Sequence, residues 1–275
     1  TDLAVGAWSD EESATLDQGA IYILFMYPNG SVNSSTKISD GLAGFNPSNL
    51  DTNDRFGSSI TNIGDLDGDG VIDLAVGAHA DENFSSGNAE GAVYILFMNT
   101  SGGVKNHTKI ALGLVGFHPQ SLDADDRFGS SVTLIGDLNR DGINDLAVGA
   151  LLDENNNISG EVDVSSGGAL YILFMNATGG VKNHTKIADG IAGFTPANLD
   201  ASDNFGYSVT AIGDLNYDGI VDLAVGAYTD ENNDLENEDI DFAEGAVYIL
   251  FLESNEIVTT PPASPPSSGG SGGGG

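Results

Sequence analysis

The chain repeats itself, and this repetition restricts its fold more than any other feature. The segment Asp-Leu-Ala-Val-Gly-Ala occurs four times, at spacings of 71, 72 and 77 residues, beginning at Asp2, Asp73, Asp145 and Asp222. The segment Tyr-Ile-Leu-Phe also occurs four times, whereas Phe-Gly-x-Ser occurs only three times, beginning at Phe56, Phe128 and Phe205. The first of the four units therefore lacks its opening segment.

Each unit has the pattern of four short strands, A to D. Strand A runs from Phe-Gly-x-Ser to Ile-Gly-Asp-Leu, strand B is Asp-Leu-Ala-Val-Gly-Ala, strand C contains Tyr-Ile-Leu-Phe, and strand D centres on Thr-Lys-Ile. No stretch has a helical period and glycines stand at the strand boundaries, so an all-β fold is predicted. Repeated four-stranded units of this length favour a β-propeller. A β-solenoid is the weaker alternative, because its repeats are usually much shorter.

The repeats divide the chain into two parts. A propeller is predicted over residues 1–252, with units at about 1–55, 56–127, 128–204 and 205–252. Residues 253–260 can supply one further edge strand, and the Pro, Ser and Gly of residues 261–275 are typical of a linker.

The charge of the chain excludes several classes of partner. It has 41 acidic and 8 basic residues, a formal net charge of −33 and no cysteine. Nucleic acids and anionic lipids need a basic surface, so neither is expected as a partner. No apolar run approaches the ~18 residues of a membrane span, and direct membrane insertion is not predicted. Without cysteine, disulfides and thiolate chemistry are excluded.

The loop between strands A and B has the pattern of a metal site. Oxygen side chains stand at loop positions 1, 3, 5 and 9, a main-chain carbonyl is available at position 7, and position 6 is glycine. Positions 1, 3, 5, 7 and 9 are Asp65, Asp67, Asp69, Val71 and Asp73, then Asp137, Asn139, Asp141, Ile143 and Asp145, then Asp214, Asn216, Asp218, Ile220 and Asp222. This all-oxygen set predicts about three Ca²⁺ ions rather than Zn²⁺ or Mg²⁺. The alternative is an Asp/Gly turn without an ion.

In order, Phe-Gly-x-Ser, Gly-Asp-Leu-x-x-Asp-Gly-x-x-Asp-Leu-Ala-Val-Gly-Ala and Gly-x-Val-Tyr resemble the FG-GAP repeat of integrin α-subunit propellers and related extracellular proteins. The resemblance covers residues 2–252. It implies a propeller with calcium in its A–B loops, in a secreted or surface protein with adhesive or scaffolding roles. Integrin propellers have seven blades, so four units indicate a four-blade ring or a segment of a longer propeller. Asp2 matches loop position 9 without the other ligands and is not counted as a site.

The sequence contains eight Asn-x-Ser/Thr sequons, and six of them fall in the connection between strands C and D, which is expected to be a surface loop. They predict N-glycosylation. The sequons are Asn29, Asn33, Asn83, Asn99, Asn106, Asn157, Asn176 and Asn183.

In a propeller, the A–B and C–D loops lie on one face, and the B–C and D–A loops on the other. The B–C and D–A loops hold 28 of the 41 acidic residues. Five lysines of the C–D loops and D strands are assigned to the opposite face; they are Lys37, Lys105, Lys109, Lys182 and Lys186. An acidic face that meets a lysine-bearing face predicts head-to-tail self-assembly.

No constellation in the sequence predicts catalysis. His107 and His184 are repeat equivalents for which a surface position is expected. The acidic pairs recur at one loop position of every unit, which favours a structural or solvated role over a glycosidase pair; three of them are Asp81-Glu82, Asp153-Glu154 and Asp230-Glu231. We therefore expect a non-enzyme.

These features together predict a calcium-binding structural or adhesion protein, extracellular or on the cell surface. It would have glycans and other protein subunits as partners, and one form of the role is the repeating subunit of a glycosylated filament. One alternative is a receptor module that binds ligands through the acidic face formed by the B–C and D–A loops. A propeller enzyme that acts on polysaccharide is a weaker alternative.

Overall fold

The structure is a computed structural model that describes residues 2–10, 18–47, 50–82, 89–119, 122–154, 167–196, 199–200, 202–230 and 244–253. These residues form fourteen strands, which are β1 (Leu3–Ala7), β2 (Ala20–Met26), β3 (Val32–Ile38), β4 (Phe56–Gly64), β5 (Asp73–Ala78), β6 (Ala92–Met98), β7 (Val104–Ile110), β8 (Phe128–Gly136), β9 (Asp145–Ala150), β10 (Ala169–Met175), β11 (Val181–Ile187), β12 (Phe205–Gly213), β13 (Asp222–Ala227) and β14 (Ala246–Leu250). Within the described ranges, no helix is long and apolar enough to cross a membrane.

The strands form four antiparallel sheets, one for each sequence unit. Their orders are β1-β2-β3, β4-β5-β6-β7, β8-β9-β10-β11 and β12-β13-β14. The predicted strands A to D are confirmed as these neighbours, and the first sheet lacks strand A as the sequence indicates. The edge strand expected at residues 253–260 and the linker at 261–275 fall, apart from Glu253, outside the described residues. The fold is all-β, and its sheets are β-propeller blades.

The hydrophobic core lies between neighbouring sheets, and alternate residues of each strand contribute to different interfaces. In β6, Val93 and Ile95 pack toward the third sheet, while Tyr94 and Leu96 pack toward the first. Every residue of β5 and β9 is buried, which explains why the B segments are short and apolar after their first aspartate.

The Phe-Gly segment at the start of strand A packs into an aromatic cluster that recurs in three sheets. Phe56 stacks on Phe45 with ring centroids 4.7 Å apart, and Tyr94 meets Phe56 edge-on at 5.7 Å. The equivalent stacked pairs are Phe117–Phe128 and Phe194–Phe205. Such offset and edge-on pairs contribute about 0.5–1.5 kcal/mol each beyond the apolar area that they bury.

Glycine allows neighbouring sheets to touch through their main chains. A Cβ atom at Gly77 of β5 would lie 2.1 Å from the carbonyl oxygen of Gly129, in β8 of the next sheet. The same contact joins Gly149 to Gly206, where the distance would be 2.0 Å. A side chain at either position would push the sheets apart, so this glycine of strand B is required by packing.

The four sheets form an open arc rather than a closed four-blade ring. Val247 and Phe251, in and just after β14, are 68% and 55% exposed, although their equivalents in the second sheet are buried. In the first sheet, Leu3 and Val5 are 49% and 44% exposed on the face that would receive a preceding sheet. Closure of four blades would bury both faces, so the four-blade ring is not formed.

Candidate metal loops and the acidic face

The three predicted metal loops are the hairpin turns between strands A and B. Their glycines at position 6, Gly70, Gly142 and Gly219, have φ of 89°, 88° and 86°. A Cβ at these glycines would meet no atom within 4 Å, so the left-handed backbone, and not space, requires glycine here. The metal-loop face is the side of the arc that carries these three loops.

The carboxylate at position 1 organises each loop. Asp65 Oδ1 accepts hydrogen bonds from the amides of Gly68 and Asp69 at 2.8 and 2.9 Å, and its Oδ2 accepts one from Gly70 at 2.8 Å. Asp137 and Asp214 accept equivalent bonds from the amides at positions 5 and 6. The turn is therefore folded around an acidic side chain.

The carboxylate at position 9 is buried and ties the loop to strand C. Asp73 accepts from Leu66 N at 2.9 Å and from Met98 N at 2.8 Å, and burial raises the pKa of this carboxyl. Asp145 makes the same two bonds with Leu138 and Met175. Asp2 likewise accepts from Met26 N at 3.0 Å, which ties this residue to strand C of the first sheet.

The residues brought together in these loops fit a hard cation. Oxygen atoms of Asp65, Asp67 and Asp73 lie within 4.8 Å of one another. In the fourth unit, Asp222 Oδ1 is buried without a hydrogen-bond partner among the described residues, whereas the equivalent atom of Asp73 accepts from Met98 N of strand C. At position 5, Asp69, Asp141 and Asp218 accept from the amides at position 7, which are those of Val71, Ile143 and Ile220.

Two of the five lysines that the sequence assigned to this face contact the metal loops directly, which the sequence interpretation did not predict. Lys105 Nζ donates to Asp67 Oδ2 at 2.8 Å and also to Asp69 Oδ2. Lys182 Nζ donates to Asp141 Oδ2 at 2.6 Å. The hydrogen bonds from these ammonium groups lower the pKa of Asp69 and of Asp141. Each lysine is the second residue of a D strand, and this position was the signal that could have predicted the contact.

The B–C and D–A loops lie on the other side of the arc, the acidic face. There Asp81 is fully buried and accepts from Lys109 Nζ at 2.6 Å and from Tyr94 Oη at 2.8 Å. Asp153 accepts hydrogen bonds from Lys186 and Tyr171 in the same way, and Asp10 accepts them from Lys37 and Tyr22. The expectation that all five lysines face the metal loops is therefore wrong, since three of them neutralise acidic residues here.

The aspartate before Phe-Gly is a second buried acid on this face. Asp54 Oδ2 accepts from Asp51 N at 2.5 Å, and Asp126 Oδ2 accepts from Asp123 N at 2.7 Å. Burial raises the pKa of Asp54 and of Asp126 to about 8, and the nearby carboxylates of Asp81 and Asp153 add to these shifts. The sequence interpretation did not single these residues out, although they recur in every Phe-Gly segment.

Comparison with known proteins gives the same result as the strand pattern. Residues 56–96, which include the loop Asp65–Asp73, match the FG-GAP repeat family. The chain therefore contains an FG-GAP repeat. It is similar to human integrin alpha-11, with 37% identity over 174 residues, 62% of this chain. It is also similar to mouse integrin alpha-2, with 33% identity over 173 residues, 62% of the chain. The third relative is human integrin alpha-6, with 32% identity over 168 residues, 60% of the chain.

The chain corresponds to a small part of these relatives. It covers 12% of integrin alpha-11, 13% of integrin alpha-2 and 12% of integrin alpha-6. The matched residues 56–96 hold strands β4 and β5, the metal loop between them and β6 up to Leu96.

The histidines that were expected on the surface are packed against the aromatic clusters at the Phe-Gly segments. His107 meets Phe45 edge-on at 5.1 Å, and His184 meets Phe117 at 5.2 Å. Both are half-buried, and burial lowers their pKa. The expected surface position is thus corrected. The aspartates of the recurring acidic pairs are buried and hydrogen-bonded, so their predicted structural role holds and a solvated one does not.

The sequons lie in two kinds of position. Asn29, Asn33, Asn106 and Asn183 are exposed, and the last three lie on D strands rather than in the expected loops. Asn99 and Asn176 are half-buried, and their side-chain oxygens accept hydrogen bonds within the turns between strands C and D. The sequons at Asn83 and Asn157 lie outside the described residues.

Proposed function

We propose that this protein is a non-enzymatic, calcium-binding adhesion or structural module that acts outside the cell or at the cell surface. The observation that carries the proposal is the threefold recurrence of one acidic turn, at Asp65–Asp73, Asp137–Asp145 and Asp214–Asp222. The similarity to integrin alpha subunits supports the adhesive role and the location.

Calcium is the ion that best suits these loops. Ca²⁺ takes six to eight oxygen ligands from carboxylates, amides and carbonyls. Each loop supplies carboxylates at positions 1, 5 and 9, a carboxylate or amide at position 3 and a carbonyl at position 7. In the second unit, a bound ion would compete with the ammonium group of Lys105 for Asp67 and Asp69, which are the side chains that this lysine contacts.

The experiment is calcium titration of the chelator-treated chain, followed by thermal unfolding. We expect one equivalent of Ca²⁺ for each of the three loops and a higher unfolding temperature, because an ion that binds only the folded state stabilises it, by about 2.7 kcal/mol per site at 100 times Kd. The variants Asp65→Asn, Asp137→Asn and Asp214→Asn should each lose one equivalent. Identical unfolding temperatures with calcium and with chelator would contradict the proposal.

N-glycosylation is proposed as a second property of the surface. The exposure of Asn29, Asn33, Asn106 and Asn183 supports it, since a glycan needs an accessible asparagine. Peptide mass spectrometry of the protein from its natural source should find modified asparagines among these four. Unmodified asparagine at all four would contradict the proposal.

We also propose head-to-tail self-association, which is the step that a filament requires. The open ends of the arc support it. Val247 and Phe251 at one end correspond to residues that dock inside the chain, and Leu3 and Val5 at the other end correspond to residues that receive them. The occupant of each end would be a second copy of this chain, with an interface that repeats the internal one.

Sedimentation velocity tests this association over a range of concentrations. We expect the mass to rise with concentration, and Val247→Asp to reduce that rise because it places a charge in an apolar interface. Val115→Asp is the matched control, since Val115 is 44% exposed but lies between the second and third sheets. A constant monomer mass, or equal effects of the two variants, would argue against self-association.

A further inference from the structure

A cluster of three carboxylates lies on the acidic face of the third sheet, away from the metal loops. Oxygen atoms of Asp123, Asp126 and Glu154 lie within 4.8 Å of one another. Asp123 and Asp126 precede β8, and Glu154 follows β9. Their separation in sequence means that the fold, and not a local turn, brings them together.

The ends of two paired strands hold this cluster in place. Phe128 of β8 pairs with Ala150 of β9, so the loop before one strand lies beside the loop after the other. The amide of Leu152 donates to the carbonyl of Asp126 at 3.3 Å, which joins the two loops directly. The carboxylates are therefore supported by the sheet.

Asp126 is the member that requires a partner. Its side chain is fully buried, and its Oδ2 accepts a hydrogen bond from Asp123 N at 2.7 Å. Its other oxygen, Oδ1, is also buried and has no hydrogen-bond partner within the described ranges. Buried polar atoms are nearly always satisfied, and a buried charge is costly unless it is paired or coordinates a metal.

The nearby ammonium group of Lys186 already has an acidic partner. Lys186 Nζ donates to Asp153 Oδ1 and to the main-chain oxygen of Glu154, the latter at 3.2 Å. These contacts of Lys186 are thus to Asp153 and to the main chain of Glu154, and neither reaches the Oδ1 atom of Asp126.

We propose that Asp123, Asp126 and Glu154 bind a hard divalent cation, Ca²⁺. Carboxylate oxygens are the ligands that Ca²⁺ prefers, and Asp126 Oδ1 is a buried oxygen that such an ion would satisfy. Mg²⁺ is less suitable because it demands near-ideal octahedral geometry. This site is additional to those of the proposed function and does not depend on them.

The test is a count of calcium equivalents by isothermal titration calorimetry on the chelator-treated full chain. We expect Asp126→Asn and Glu154→Gln each to lose one equivalent relative to the unaltered chain. Asp125→Asn is the matched control, because it removes the same charge from an exposed residue of the same loop that is not in the cluster. This control should keep every equivalent.

A circular dichroism spectrum and a urea unfolding curve check that each variant is folded. If Asp126→Asn fails to fold, Glu154→Gln decides, since Glu154 is only half-buried. A full count of equivalents in a folded Glu154→Gln variant, or a lost equivalent in Asp125→Asn, would overturn the proposal. Asp137→Asn, in the metal loop of the same unit, should remove a different equivalent. The titration therefore distinguishes a chain that binds no Ca²⁺ at its loops from a chain that binds none at this cluster.

Discussion

Strand β7 has two lysines, Lys105 near its start and Lys109 near its end, and the two have different surroundings. Lys105 is 31% exposed and contacts Asp67 and Asp69 of a metal loop, which are themselves exposed. Lys109 is 13% exposed and contacts Asp81, which is fully buried. Strand β11 repeats the arrangement with Lys182 and Lys186.

A pair of lysine and aspartate therefore has a different role on each of the two faces. An exposed ion pair contributes about 0–1 kcal/mol, so another cation can displace its ammonium group at little cost in stability. Removing one member of a buried pair costs about 3–5 kcal/mol, because the remaining charge has no partner. The metal-loop face is thus suited to an exchangeable cation, while Asp81 and Asp153, which are buried on the acidic face, are neutralised by built-in lysines.

The largest expected difference between the faces is in stability without calcium. Lys109→Met should lower the free energy of unfolding by about 3 kcal/mol, since it leaves the buried Asp81 with Tyr94 as its remaining side-chain donor. Lys105→Met, which removes the same charge from the same strand, should lower it by less than about 1 kcal/mol. Urea unfolding in chelator measures both. Equal losses of unfolding free energy in the two variants would contradict the proposed difference between the two faces.

The faces should also respond to pH in opposite directions. The pKa of Asp54 rises to about 8 on burial, so the stability that this group contributes is present below its unfolded pKa and is lost as pH rises toward 8. Asp69, whose pKa is lowered by Lys105, contributes stability that is lost only as pH falls below about 4.

The chelator-treated protein should therefore lose stability between about pH 4 and pH 8, with a slope on the order of 1 kcal/mol per pH unit for each buried carboxyl. Asp54→Asn should reduce this slope, whereas Asp69→Asn should leave it unchanged. Urea unfolding at several pH values is the measurement. A slope that Asp54→Asn does not alter would show that this group is ionised in the folded state.

The smallest effect concerns calcium affinity. Lys105→Met should tighten Ca²⁺ binding at the loop Asp65–Asp73 by about two- to fivefold, because a competing surface ammonium is worth less than about 1 kcal/mol. Lys37→Met is the control, since Lys37 pairs with Asp10 on the acidic face. Calorimetric Kd values compare the variants. Weaker binding in Lys105→Met would mean that this lysine supports the site.

Much of the fold follows from local pattern. The repeats Phe-Gly-x-Ser, Asp-Leu-Ala-Val-Gly-Ala and Tyr-Ile-Leu-Phe predict strands A, B and C. Short segments that are alternating or mostly apolar and are bounded by glycine are typical of β-strands. The left-handed turns at Gly70, Gly142 and Gly219 also follow from the sequence, since no other residue adopts that conformation as easily.

Burial of single charges could not be predicted in the same way. Counting acidic residues by loop places Asp81 and Glu82 together, although Asp81 is fully buried and Glu82 is not. The positions of Lys105 and Lys109 on different faces could have been predicted from the sequence. Four residues of an extended strand span about 13 Å, which is enough to place the two lysines at opposite ends of the strand. The burial of Asp54 and Asp126 depends on contacts between distant loops and had no local signal.

The main-chain contacts at Gly77–Gly129 and Gly149–Gly206 make the arc a linear series of coupled units, in which each sheet interacts with its immediate neighbours. In such a system, stability is the sum of intrinsic and nearest-neighbour terms, and opening begins where a neighbour is missing. Within the part of the chain that the structure describes, the second and third sheets each contact two other sheets, while the first and fourth contact one. Amide hydrogen exchange should therefore be slowest in β5 and β9 and should become faster toward β1 and β14. The free energy of local opening therefore decreases from the middle of the arc toward its two ends.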